Sequence, residues 1–182
     1  MARFDFGTFE GFNFRDQSAI ELTLTAEEVI HWEHDQHGEA EFWPAGDNAG
    51  VSLIFGSQSA VTGSELETLG KLLEECGDDS IESMLRIHFA VNLAGYNLEG
   101  LTAEKLDDLN LCIFQGSSFL DVRREAAYEL FEMYFPELYT AWESTPCDGL
   151  IFDTDRFLDS PSWSTEEVTL GNNQVALLVG SR

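Results

Sequence analysis

The chain has 182 residues, 43% of them apolar, including fourteen Phe and four Trp. That is enough to build a packed core and is not the composition of a disordered chain. Asp and Glu number 34 against nine Lys and Arg, giving a formal charge of −25 at pH 7; so few cations supply no basic patch to displace counterions from nucleic acid, and anionic membrane surfaces repel the chain, so direct binding to either is not expected.

Three cysteines, Cys76, Cys112 and Cys147, form no CxxC pair and have no histidine at zinc-finger spacing. They read as buried free thiols in a reducing compartment. The opening Met1-Ala2-Arg3-Phe4-Asp5-Phe6 is interrupted by an acid and does not read as a signal peptide. No stretch approaches the ~20 apolar residues of a membrane span. The expectation is a cytoplasmic protein.

In chain order, Phe4, Phe6, Phe12 and Phe14 fall at period two around Gly7 and Gly11, which predicts short strands joined by a turn. Ile20, Leu22 and Leu24 alternate as a further strand. Thr25 with Glu28 then reads as a capping box opening a short helix through Val29 and Ile30, a continued strand through Ile30 and Trp32 being the alternative. A turn at Gly46–Gly50 leads to an apolar strand, Val51–Phe55. Ser64 with Glu67 reads as a second capping box. Leu66, Leu69, Leu72, Leu73 and Cys76 follow at helical spacing, and Gly77 is placed to end that helix.

Asp79 or Ser80 starts the next segment, helical over Ile81, Met84 and Leu85. The strict alternation of Leu85, Ile87, Phe89, Val91 and Leu93 then predicts a strand. Thr102 caps a short helix through Leu106 and Leu109, and Leu111–Phe114 reads as a buried strand. Phe119–Phe135 is predicted helical, and Pro136 ends it and opens another helix over Glu137–Glu143. Leu150–Phe152, Val168–Leu170 and Val175–Val179 read as strands, with Gly171-Asn172-Asn173 as the turn of a terminal hairpin. The irregular interleaving predicts a single α+β domain over residues 1–182. It has a mainly antiparallel sheet, about four to five helices in its middle and C-terminal half, and a β-hairpin at its end.

Several segments carry residues capable of chemistry. His31, His34 and His37 recur at intervals of three, and on a helix His31 and His34 would share a face with room for a carboxylate to complete a metal site. The spacing is not that of HExxH, and a solvated helix end is the competing reading. The segment Gly149-Leu150-Ile151-Phe152-Asp153-Thr154-Asp155 resembles the first motif of the haloacid-dehalogenase-like phosphatases, a buried strand ending in Asp-x-Asp. The resemblance implies Asp153 as nucleophile and Asp155 as acid/base beside magnesium. That family follows the motif with a parallel sheet, whereas here an antiparallel hairpin is predicted, and Arg156-Phe157 stands in place of the family's Thr/Gly pattern. The competing reading makes both Asp turn caps that face solvent.

Asp78-Asp79 and Asp107-Asp108 read as acids at helix starts or on solvated faces. His88 reads as a satisfied, half-buried histidine, and Ser117-Ser118 as a helix N-cap. Arg123-Arg124 is expected to form ion pairs within its own helix, with Glu125, Glu129 and Glu132. Tyr128, Phe131, Tyr134 and Phe135 read as core or interface packing. No catalytic, cofactor or metal set stands out.

The charge therefore carries the functional expectation: a non-enzymatic acidic interaction protein that binds a basic protein partner. DNA mimicry and an inhibitor or immunity-type role are its sharper forms. The alternatives are a small metal-dependent hydrolase using Asp153/Asp155 or His31/His34/His37, and an accessory protein whose acidity serves only solubility.

Overall fold

The computed structural model describes residues 6–13, 18–36, 40–45, 49–56, 58–77, 80–144 and 152–181. The fold is α+β, with two antiparallel three-stranded sheets, helices concentrated in the middle and C-terminal half, and a β-hairpin last. Its contacts divide into two compact units, Met1–Leu109 and Asn110–Arg182.

In the first unit, strands β1 (Thr8–Asn13), β2 (Ser18–Thr25) and β3 (Ala40–Ala45) form a sheet in the order β2-β1-β3. The central strand buries Phe9 and Gly11 and leaves Phe12 half-buried; where the Phe alternation predicts short strands joined by a turn around Gly7 and Gly11, the chain runs as one strand through Gly11. Phe4 and Phe14 lie outside the described residues. Strand β3 was not expected from the sequence. It contains Pro44, which cannot donate to a ladder and is tolerated here because β3 is an edge strand.

Helix α1 (Ala26–Gln36) begins at the expected capping box. The Thr25 backbone N–H and hydroxyl both donate to Glu28 Oε2, at 2.8 and 3.0 Å, while the Glu28 N–H donates back to Thr25 Oγ1 at 3.4 Å. The two Thr25 donors, the backbone N–H first, stabilise the ionised carboxyl and lower its pKa.

Val51–Phe55 is not a strand but part of helix α2 (Ala49–Phe55). Val51 and Ile54, one turn apart, point into the core, and a short apolar run does not distinguish the two conformations. Helix α3 (Gly63–Cys76) begins two residues earlier than expected. Thr62 and Glu65 form the capping box, with the Thr62 N–H donating to Glu65 Oε2 at 2.8 Å. Ser64 lies in the first turn, and Glu67 pairs with Lys71 at 2.8 Å. Gly77 ends α3 at φ 69°, as expected of a glycine in the left-handed region.

Ser80 caps helix α4 (Ile81–His88), which runs into a π-helical turn at Phe89–Leu93. The strand expected over Leu85–Leu93 is therefore helical. Leu85, Ile87, His88, Phe89 and Ala90 are all buried, so apolar positions on a widely buried helix mimic an alternation by two. The Ala94 N–H donates to Phe89 O at 2.9 Å, the wide bond of a π turn. Thr102 caps α5 (Ala103–Asp107) as expected. Asp107 and Asp108 lie at its C-terminal end, both exposed. Phe9, Phe42, Leu66, Leu69, Leu73 and Ile87 centre this unit's core.

In the second unit, β4 (Leu111–Gly116), β5 (Trp163–Gly171) and β6 (Gln174–Ser181) form a sheet in the order β4-β6-β5. The predicted hairpin turn is Asn172-Asn173, with φ 49° and 60°, the left-handed pair of a type I′ turn. Helix α6 (Phe119–Tyr134) packs Val122, Ala126, Ala127 and Leu130 with Val175, Leu177 and Val179 of β6. Pro136 opens α7 (Pro136–Ser144), and α8 (Thr154–Leu158) buries Leu158 in the same core. Phe152 lies in no strand, and the rest of the strand expected at Leu150–Phe152 falls outside the described residues.

Candidate functional site

His31 is exposed on α1; nothing is described of the His34 side chain, and His37 lies outside the described residues. Among the described residues, no group of three or more His, Cys, Asp and Glu is placed to hold a metal ion. Asp153 is the N-cap of α8, its Oδ1 accepting from the Arg156 N–H at 3.0 Å, and Asp155 lies in the first turn of the same helix. The sheet that follows is antiparallel. Cys76 and Cys112 are half-buried, not buried as expected, and Cys147 is outside the described residues.

His88 is buried on α4, with Nδ1 2.6 Å from Leu53 O and 3.0 Å from Asn92 Nδ2. The expectation of a satisfied histidine is correct, although it is buried rather than half-buried and its element is a helix. Ser118 holds the N-cap position of α6 without a side-chain cap bond.

Arg123 departs most from expectation. It makes no ion pair along its own helix. Instead Nε meets Asp155 Oδ1 at 3.0 Å, Nη2 meets Asp159 Oδ1 at 2.9 Å and Nη1 meets Glu167 Oε1 at 3.1 Å. Three of its donors thus reach α8, the residue that ends it, and β5. Burial opposes the charged guanidinium, but the three carboxylates outweigh it and raise its pKa. Arg124 instead lies over the Tyr128 ring, 5.9 Å from its centroid.

Arg123 lies on the face of α6 opposite most of its acids, and Arg124 is exposed beside them. Asp121, Glu125, Glu129 and Glu132, at intervals of four, four and three, share one exposed stripe. Beside it runs a cluster of rings. Phe131 stacks on Phe152 at 4.6 Å and 14°, and meets Tyr139 and Trp142 of α7 edge-on at 5.7 and 6.4 Å. Tyr134 meets Trp163 edge-on at 5.0 Å. The expectation of packing aromatics is met, yet the cluster is incompletely covered. None of the residues of α7 is buried. At the junction of α6 and α7, Met133, Tyr134, Phe135 and Leu138 are 61, 41, 44 and 61% exposed. A cavity of about 500 Å³ opens there, its apolar wall formed by Tyr134, Phe135, Phe157, Pro161 and Trp163. The Tyr139 hydroxyl has its pKa raised by desolvation and then by the negative charge of Glu143 and Glu132.

The sequence showed these acids and aromatics but not that they would form one face. The short break between α6 and α7 sets the two helices' acids and rings beside one another. Comparison with protein-family models, with curated proteins and with solved structures returns no match.

Proposed function

We propose that this chain is a non-enzymatic acidic module that binds a basic protein partner. The observation that carries this reading is an uncompensated excess of 25 negative charges. Several of the cations are taken up by neighbouring carboxylates. Lys71 and Arg86 are held by carboxylates one turn away on their own helices, and Arg123 by three at once. Such a surface steers cationic partners and raises their on-rate.

The sharper version, a DNA mimic or an inhibitor of the immunity type, is supported by the α6 stripe. Its carboxylates are spaced about 5.5 Å apart along the helix axis, against about 3.4 Å per phosphate along a DNA strand. The stripe is sparser than DNA, so a basic partner is the main reading and competition with DNA its stricter form.

The test is association of the purified chain with a panel of basic DNA-binding proteins across a salt series, with and without duplex DNA. The expected result is binding at 50 mM salt that falls steeply by 300 mM, and displacement by duplex DNA if mimicry holds. No binding at low salt, or binding indifferent to salt, leaves acidity as a solubility device and overturns the proposal.

A further inference from the structure

Single exposed apolar side chains are ordinary, but Met133, Tyr134, Phe135 and Leu138 are all exposed at the end of α6 and the start of α7, where Tyr134 and Phe135 also wall an aromatic cavity. Carboxylates are interspersed with them. Glu132 immediately precedes these residues and Glu137 lies among them, both exposed, and Glu129 and Glu143 flank them about one or two turns away. A purely apolar partner would have to desolvate those carboxylates without pairing them. A second copy of this chain would bring another 25 negative charges to the face. The charge therefore favours a cationic occupant, and the exposed apolar side chains favour one that is also amphipathic.

Within cationic chemistry the rings favour arginine over lysine. A planar guanidinium stacks on an aromatic face and still offers paired donors to a carboxylate, whereas an ammonium is a compact, strongly hydrated point charge. The molecule already contains one such contact, Arg124 over Tyr128. Resting on the basic-partner reading above, we propose that the α6–α7 junction is the docking face. Its occupant is a basic amphipathic segment of a partner protein, with an arginine over the Tyr134/Phe135 wall and an aliphatic side chain against Met133 and Leu138.

The probe is a labelled synthetic peptide about four helical turns long, with Arg and Leu at helical spacing. It is compared with a Lys-for-Arg copy and a Ser-for-Leu copy, by fluorescence anisotropy against the full chain. The parent is expected to bind the Arg/Leu peptide at least tenfold more tightly than the Ser copy and several-fold more tightly than the Lys copy. Phe135→Ser with Leu138→Ser alters only exposed positions and is expected to weaken the Arg/Leu peptide at least tenfold. Glu132→Gln with Glu137→Gln is expected to weaken it several-fold and flatten its salt dependence. Glu67→Gln with Glu74→Gln, on α3, serves as the charge control and is expected to change it less than twofold. Unchanged circular dichroism and urea midpoint identify variants that remain folded.

If none of the peptides binds at low salt, both this proposal and the basic-partner reading fail. If all three bind alike, and Phe135→Ser/Leu138→Ser binds as the parent does, the docking face is overturned while the basic-partner reading stands. Sedimentation supplies the remaining outcome: self-association of the parent that is abolished by Phe135→Ser/Leu138→Ser would assign the face to a second copy and overturn the proposed occupant.

Discussion

Replacing Arg123 by alanine removes the cation shared by Asp155, Asp159 and Glu167. The Arg123 side chain is only 18% exposed, while its three partners are 67, 64 and 42% exposed. Each pair therefore lies close to water and is worth about 0.2–1 kcal/mol, so that three together contribute about 1–2 kcal/mol. The packed methylenes of the arginine stem are also lost, and three carboxylates are left facing one another, which brings the expected destabilisation to about 2 kcal/mol. Arg123→Lys keeps the charge but offers a single ammonium to three partners, and is expected to recover less than half of the loss. Urea unfolding followed by Trp fluorescence measures both variants. Raising NaCl from 0.1 to 1 M shortens the Debye length from about 10 to 3 Å and is expected to shrink the Arg123→Ala deficit markedly. A variant as stable as the parent in low salt, or a deficit that salt leaves untouched, would refute the clamp as an electrostatic device.

Thr62→Ala removes the side-chain half of the α3 capping box and is expected to cost about 1 kcal/mol in the urea series. The Glu28 carboxyl is more acidic in the folded chain than in the unfolded one. Its contribution is therefore complete above the ordinary Glu pKa of about 4.3 and is lost as the pH falls through the lower folded value. The stability difference between the parent and Glu28→Gln is expected to be constant near neutrality and to shrink below about pH 4; a gap that widens on acidification would be inconsistent with the cap. At the hairpin, Asn173→Gly is expected to leave the melting temperature unchanged or slightly higher. Asn173→Val forces a β-branched side chain into the left-handed region and is expected to cost about 1–2 kcal/mol. Equal melting temperatures for the two variants would rule out the type I′ turn.

Elements whose ends carry side-chain chemistry were legible in the sequence. Thr25/Glu28, Gly77, Ser80, Thr102, Pro136 and the Asn172-Asn173 turn each specify a local geometry that needs little from the rest of the chain. Segments that depended on burial alone were not. Val51–Phe55 and Leu85–Leu93 are apolar enough to be strand or helix, and tertiary packing decides between them. The box at Thr62/Glu65 was missed in favour of Ser64/Glu67 because both pairs satisfy the same spacing. At the candidate site the sequence showed acids and aromatics on α6 and α7. It could not show that Arg123 reaches 32 and 44 residues onward to Asp155 and Glu167, because those contacts depend on tertiary structure.

The strand order of the second sheet has a consequence for how this protein is made. β6 lies between β4 and β5, buried from Val175 to Gly180, yet it is the last of the three to be synthesised. β4 pairs with no strand but β6 in this sheet, so after Gly116 leaves the ribosome its ladder must wait for Gln174 to follow. At ordinary translation speeds that interval is about 3–12 s. During it, Leu111 and Phe114 of β4, and Val122 and Leu130 of α6, lack the strand against which they finally rest. The nascent chain therefore carries an open apolar surface for seconds, held apart from its neighbours by its own negative charge.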